Sequence, residues 1–312
     1  MLTFLTMILA LKPKGTSFMN YILSATSTAD LTKEEFRNRN IHYLCFHFNL
    51  NGVDYVDDLG QSIPFDEFYE RMSKGEMTKT SQPSTGDYIN YFTPFLQEGK
   101  DILHVSLSSG LSGEYNSANL AAEMLKDQFP ERKIRIVDSL GASSGYGLFM
   151  DKLADLRDEG MGLDELGDWA EEHRLELHHF FFSTDLKYYV RGGRVTPIAG
   201  FFGNLLNICP LLHMDENGKL IPLEKVHGTK KVEKRIVEKM VENANDGLDY
   251  NGKVFISMSH CMDLAMPVKN MVDEKFKNMN GKVVIHSIGT TIGSHTGPGT
   301  VALFFWGKSR AK

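Results

Sequence analysis

Two hydrophobic periodicities alternate along this chain. From residue 101, short apolar runs (DILHVSL, then KIRIVDS) are each followed by a small-residue loop. Each loop leads into a segment whose apolar residues recur three and four apart, EYNSANLAAEMLKDQF and LFMDKLADLRDEG. A short apolar run bounded by turn residues reads as a buried strand, and the three-four spacing as an amphipathic helix. Strand, loop and helix in that repeated order predict parallel βαβ units. In such sheets ligands sit at the loops leaving the carboxyl ends of the strands. Upstream, YIL reads as a strand, SATSTADL as a polar loop, and LTKEEFRNRN as a helix capped by Asp30 or Thr32. IHYLCFHFNL reads as one strand that turns at Asn51–Gly52 into VDYVDD, since Asn-Gly between apolar runs is a strong hairpin signal. Residues 65–74 read as a further helix.

The pattern changes after a helix at LDELGDWAEEHRLE. HHFFFST reads as a strand, PIAGFFGNLLN as a helix, and ICPLLHM and KLIPLEKV as strands joined by a DENG turn. A long charged helix at 229–243, the strand KVFISMSH, the helix MPVKNMVDEKFKNM, the strands KVVIHSIG and TVALFFW, and between these last two the loop GSHTGPG complete the chain. Hairpins mixed with helices predict an α+β unit on a mostly antiparallel sheet. The expectation is therefore a two-domain α/β protein: an extension over 1–18, a parallel-sheet α/β/α domain over 19–170, and an α+β domain over 171–312, with the ligand between the two.

Composition narrows the function classes. With 312 residues the chain is long enough for about two domains and a substantial core. Lys+Arg 34 against Asp+Glu 40 gives a net charge of −6, so there is no global basic field and nucleic acid is not an expected partner. A hydrophobic content of 42% with 24% charged residues excludes disorder and a membrane-embedded fold. Three cysteines without a CxxC spacing predict free, mostly buried thiols in a reducing cytoplasm, and no metal centre. The apolar run at 2–11 is half the length of a spanning helix, and its lysines follow it rather than precede it as in a signal peptide. Residues 1–18 are expected to be a dispensable extension.

Four segments carry candidate chemistry. In TSQPS, Thr80 and Ser81 stand beside a proline-fixed turn and could donate to an anion, or could simply close a loop. In SSGLSG, Ser112 and Gly113 open a helix after a buried strand. A helix N-terminus with small residues favours a phosphate or carboxylate, although Ser112 could equally be a helix cap. In GSHTGPG, His295 is expected on a Gly/Pro-stiffened loop, able to donate to a carboxylate or to move a proton. In RGGR, Arg191 and Arg194 could meet a phosphate or a partner protein, or could end a helix. His260 and Cys261 are adjacent, and neighbours on a strand point to opposite faces, which argues against a Cys–His nucleophile. Asp57, Asp58 and Asp138 are expected to be caps or solvated charges. There is no GK[ST], GxGxxG or GxSxG motif.

In this order the segments resemble the DegV-like fatty-acid-binding proteins. The matches are STADL from Ser27, TSQPS from Thr80, SLSSGLSGEYNSA from Ser106, VDS from Val137, RGGR from Arg191, PLL with NGKLIPLEKVHGTKK from Pro210, and HTGPGTVAL from His295. The resemblance implies an α/β/α domain followed by an antiparallel-sheet domain, with a long-chain fatty acid held between them and no further cofactor. It implies a carrier rather than an enzyme, presenting the carboxylate to a separate fatty-acid kinase, with transient membrane contact allowed. It also implies that Thr80, Ser81, Ser112, Gly113 and His295 bind the head group, and that Arg191 or Arg194 docks the kinase. Thr26 stands where the family usually has aspartate, a position expected at the pocket mouth. Two other readings are a hydrolase or phosphotransferase using Ser112 and His295, and a sensor for another carboxylate.

Overall fold

The computed structural model describes residues 20–195, 208–279, 281 and 283–311. The extension at 1–18 and the helix expected at PIAGFFGNLLN lie outside them. The first half opens with β1 (Tyr21–Thr26), α1 (Lys33–Asn38), β2 (Ile41–Leu44), β3 (His47–Leu50), β4 (Val53–Val56), α2 (Phe65–Ser73) and β5 (Thr78–Ser81). It continues with α3 (Thr85–Gln97), β6 (Asp101–Ser106), α4 (Glu114–Lys126), β7 (Ile134–Asp138), α5 (Ser143–Asp158) and α6 (Leu163–His173). Strands β2-β1-β6-β7 form a parallel sheet, as the strand-loop-helix repeat predicts. Thr32 caps α1 in a capping box with Glu35.

The single strand expected at IHYLCFHFNL is two. β2 joins the parallel sheet, while β3 leaves it and forms a small antiparallel sheet in the order β4-β3-β5. Both strands are apolar enough to be buried on one face, so the pattern carries no mark of the change of sheet. The expected Asn51–Gly52 turn joins β3 to β4, with both residues at positive φ.

The second half contains β8 (Leu177–Ser183), α7 (Lys187–Gly192), β9 (Ile208–Met214), β10 (Leu220–His227), α8 (Thr229–Asn243), β11 (Val254–Met258), α9 (Met262–Lys275), β12 (Val283–Ser287), α10 (Thr290–Thr296) and β13 (Thr300–Trp306). Its sheet runs β10-β9-β8-β13-β11-β12 and is antiparallel except for the β11–β12 pair. The two-domain α/β architecture expected from the sequence is the observed one, with two separate main sheets.

Helix α5 lies between those sheets and is buried along almost its whole length. On the first side, the Tyr146 hydroxyl donates to the Val105 carbonyl and accepts the Thr26 N–H at 3.1 Å. On the other, Ser144 meets Ser257 of β11 at 2.6 Å. Gly145 faces the second sheet so closely that a Cβ there would stand 2.4 Å from Phe304 and 2.5 Å from His179.

Overpacking of this kind costs about 1–3 kcal/mol. Gly145→Ala is expected to lose about that much stability in urea unfolding, whereas Gly162→Ala, with open space at its Cβ, should change it little.

Candidate functional site

A cavity of about 300 Å³ opens where loops of both halves meet, and its wall includes Thr80, Ser81, Gln82, Ser112, Arg194 and His295. Each arrives by a different local route. Thr80 and Ser81 are the last residues of β5, paired with Phe48 and His47, rather than part of a proline turn. The turn follows them: Ser84 caps α3 in a capping box with Asp87. The spacing of TSQPS is thus a strand end running into a helix start, which holds the Thr80 hydroxyl rigidly.

Ser112 closes the loop after β6. The Gly110 N–H donates to Ser108 Oγ, and the Ser108 hydroxyl donates to the Gly218 carbonyl of the β9–β10 turn at 2.8 Å. A Cβ on Gly110 would meet the Asn217 carbonyl oxygen at 2.6 Å, so this glycine admits the second half's turn. Ser112 is not the residue that caps α4; Gly113 holds that position without a side chain to offer. The Ser112 hydroxyl still accepts the Glu114 N–H at 3.2 Å, and it donates to Gln82 Oε1 at 2.9 Å. Gly113 stands behind the wall, with the Gln82 amide 3.2 Å from where its Cβ would be.

His295 is not on a loop, as the Gly/Pro-rich sequence suggests, but in the last turn of α10. Gly297, at φ 69, ends that helix, so the glycines of GSHTGPG terminate a helix instead of stiffening a loop. The ring Nε2 meets Thr80 Oγ1 at 2.8 Å, joining the two halves across the cavity. Loss of surrounding water, then the charge of Arg194, lowers the His295 pKa to about 4, so the ring is neutral at neutral pH. Ser112 pairs with Gln82 and His295 with Thr80, so the Ser–His nucleophile pair considered from the sequence is not made.

The two arginines separate. Gly193, at φ 64, ends α7 in the left-handed conformation. Arg191 lies over the Tyr188 ring at 5.7 Å, away from the cavity, while Arg194 lines it and donates to the Gly192 carbonyl at 2.8 Å. Among the described residues lining the cavity, Arg194 carries the only formal charge, and none is acidic. Thr26 is not at the mouth; it is fully buried, its hydroxyl 2.8 Å from that of Thr28.

From the cavity a deeper recess of about 50 Å³ continues, sharing Ala142, Leu220, Ile292 and Thr296 with it. Phe181, Met214 and Phe304 make its wall largely apolar. His179 also faces it, with Nε2 accepting the Ala142 N–H at 3.3 Å and Nδ1 3.2 Å from the Leu177 carbonyl. Burial lowers the His179 pKa well below its ordinary value, so this ring is neutral with both nitrogens engaged.

Sequence reasoning passed over Gln82, which orients Ser112, and Asp57, expected to be a cap or solvated charge, is buried instead. Asp57 accepts from Ser27 at 3.0 Å and from Thr290 at 2.7 Å. Its partners lie 30 and 233 residues away, so nothing local marks it. His260 and Cys261 lie past the end of β11 rather than on the strand expected there; His260 is exposed and pairs with Asp66, while Cys261 is buried and donates to the Thr300 carbonyl, so the two do not form a pair. Among the described residues, no helix is long and apolar enough to cross a membrane, and no three His, Cys, Asp or Glu side chains gather as metal ligands.

The depressed His295 value has a measurable sign. In the unfolded chain the imidazole takes a proton near pH 6.5, but in the folded one only near 4. Between those values the unfolded state binds the extra proton, so His295 contributes stability above about pH 6.5 that is lost as pH falls toward 4. Between pH 7 and 5 the loss is on the order of 2 kcal/mol. Urea titrations of His295→Gln should show a flatter pH dependence over this window than the parent, and equal slopes would contradict the assignment.

Comparison with known proteins bears on this cavity. A family model described as "Uncharacterised protein, DegV family" matches residues 25–308. A DegV domain-containing protein of Clostridium perfringens is 33% identical, over 93% of this chain and 98% of its own length. Among solved structures, a DegV lipid-binding protein of Thermotoga maritima superposes with a TM-score of 0.81 at 28% identity, covering 94% of this chain and 100% of that one. A DegV family protein of Thermus thermophilus, described for its fatty acid binding, gives 0.82 at 26% identity, covering 93% and 100%.

Proposed function

The chain belongs to the DegV family, and on that premise we propose that it binds a long-chain fatty acid, with the carboxylate in the polar cavity and the tail in the apolar recess. The observation that carries this reading is the asymmetry of the connected space. One end offers hydroxyls, an amide, a neutral imidazole and Arg194 without any acid; the other is lined mainly by Phe, Met, Ile and Ala. An anion with a long apolar tail matches both ends, and a buried carboxylate requires such donors. The fatty acid and lipid binding described for the Thermus and Thermotoga relatives supports it.

Thr80, Ser112 and His295 are the head-group residues in this reading, with Ser81 beside them and Arg194 at the rim. Which of His295 Nε2 and Thr80 Oγ1 donates depends on the imidazole tautomer, and the tautomer protonated at Nε2 leaves the Thr80 hydrogen free for the carboxylate. Gly113 contributes through its place at the start of α4. The recess as it stands, at about 50 Å³, is too small for a long tail. Met214, with three rotatable bonds, is the side chain best suited to yield as the tail enters.

Hydrogen bonds to a charged group contribute about 1.5–3 kcal/mol each. Thr80→Ala, Ser112→Ala and His295→Ala should each weaken binding of a C16–C18 fatty acid about ten- to a hundredfold by titration. Unchanged affinity in all three would refute the head-group assignment. Native mass spectrometry of the protein from its host should show a co-purified fatty-acid mass.

In this reading the protein is a carrier that presents the carboxylate to a separate kinase, the arginine-bearing turn at Arg191–Arg194 forming part of the docking surface. The family resemblance and the exposure of both arginines, with Arg194 on the cavity wall, support this step. Arg191→Ala, remote from the cavity wall, should slow acyl-phosphate formation in a reconstituted kinase assay while leaving fatty-acid affinity intact. Loss of affinity instead would place Arg191 in the pocket.

A further inference from the structure

The His295 imidazole is held by a helix with little reason to stand where it does. α10 has seven residues, TTIGSHT, of which four are β-branched and one is glycine. Helices this short are marginal in water, and these residue types are poor formers. Its position is therefore set by what it touches: α7 of its own half, and β3, β5 and α2 of the first. The Tyr69 hydroxyl donates to the Ile288 carbonyl at 2.7 Å, and lies 2.3 Å from where a Cβ on Gly293 would be. Thr78 Oγ1 donates to the Ser294 carbonyl at 3.2 Å. At the other end stands Asp57, 1% exposed, with one oxygen accepting Thr290 Oγ1 at 2.7 Å and the other Ser27 Oγ at 3.0 Å. The Thr291 backbone also donates to it.

We infer that Asp57 is a positioning residue for the head-group site, pinning the first turn of α10 to the first half so that His295, one and a half turns on, meets Thr80. A carboxylate withdrawn from water is costly, and burial raises the Asp57 pKa for that reason. Its several donors offset that cost, and two of them belong to α10 itself. Asp30 packs beside it, with one oxygen 2.5 Å from where a Cβ on Gly289 would be. Gly289 immediately precedes α10 and is the residue that lets the two acids approach the helix. The role of His295 in binding rests on the fatty-acid reading above, whereas the mechanical link from Asp57 to His295 does not.

Nitrogen-15 NMR of the imidazole in the lipid-free, full-length protein tests the link directly. The parent ring should titrate near 4. In Asp57→Asn the midpoint should rise by about one unit as the ring loses its fixed, water-poor place beside Thr80, Arg194 and Gly192. Thr290→Val, a milder change on the same contact, should move it in the same direction. Asp151→Asn, which disturbs a buried acid paired with Arg39 and Lys253 on the far side of α5, should leave it where it is. Palmitate affinity should fall at least about tenfold in Asp57→Asn. An unchanged His295 midpoint in both Asp57→Asn and Thr290→Val overturns the inference; if Asp57→Asn fails to fold, Thr290→Val decides. A shifted midpoint in a protein whose parent does not bind palmitate upholds the link and rejects the fatty-acid reading.

Discussion

Everything else in this molecule depends on one helix serving two sheets. α5 is buried along almost its whole length because the parallel sheet packs on one face and the mixed sheet on the other. Where the helix is buried, its polar groups must find partners inside. Tyr146 bonds to Val105 and Thr26 in the first half, and Ser143 and Ser144 bond to Ser257 in the second. Close approach also requires small residues at Gly145 and Gly147, facing opposite sides. The two halves therefore share a core, and their loops meet in fixed register at the start of α5.

That register makes the cavity. Thr80 and Ser112 come from the first half, His295 and Leu220 from the second, and Ala142 from the residue just before α5. The halves also exchange supports. The β9–β10 turn of the second half receives the Ser108 hydroxyl, and Asp57 and Tyr69 of the first half hold both ends of the segment leading into α10. Cavity walls drawn from both halves are stiff only if such cross-bonds exist, since loops alone would not hold hydroxyls to within a hydrogen bond. The neutral imidazole of His295 is a consequence: the same burial that fixes the ring removes the water that would stabilise its charge.

The main architecture was legible because period carries it. Buried strands followed by three-four helices, and then NG-type and DENG turns, specify a parallel sheet and then an antiparallel one. The errors arise where period is silent. IHYLCFHFNL is continuous as a pattern, but its two ends belong to different sheets. GSHTGPG reads as a loop by its glycines, yet α10 forms there because tertiary contacts override poor helix propensity. Asp57 was misread as a cap or solvated charge and Gln82 was overlooked because their partners are distant in sequence and no local spacing marks them.

By itself the sequence determined most of the elements, their order, and which short segments carry hydroxyls, imidazole and arginine, because these follow from side-chain chemistry and local periodicity. Its motifs were also sufficient for the family resemblance. Only the tertiary structure decided that Thr80 pairs with His295 and Ser112 with Gln82, that Arg194 faces the cavity while Arg191 does not, and that the polar end opens into an apolar recess. Those are facts of long-range geometry. They depend on how two sheets pack across one buried helix, and no window of neighbouring residues contains that information.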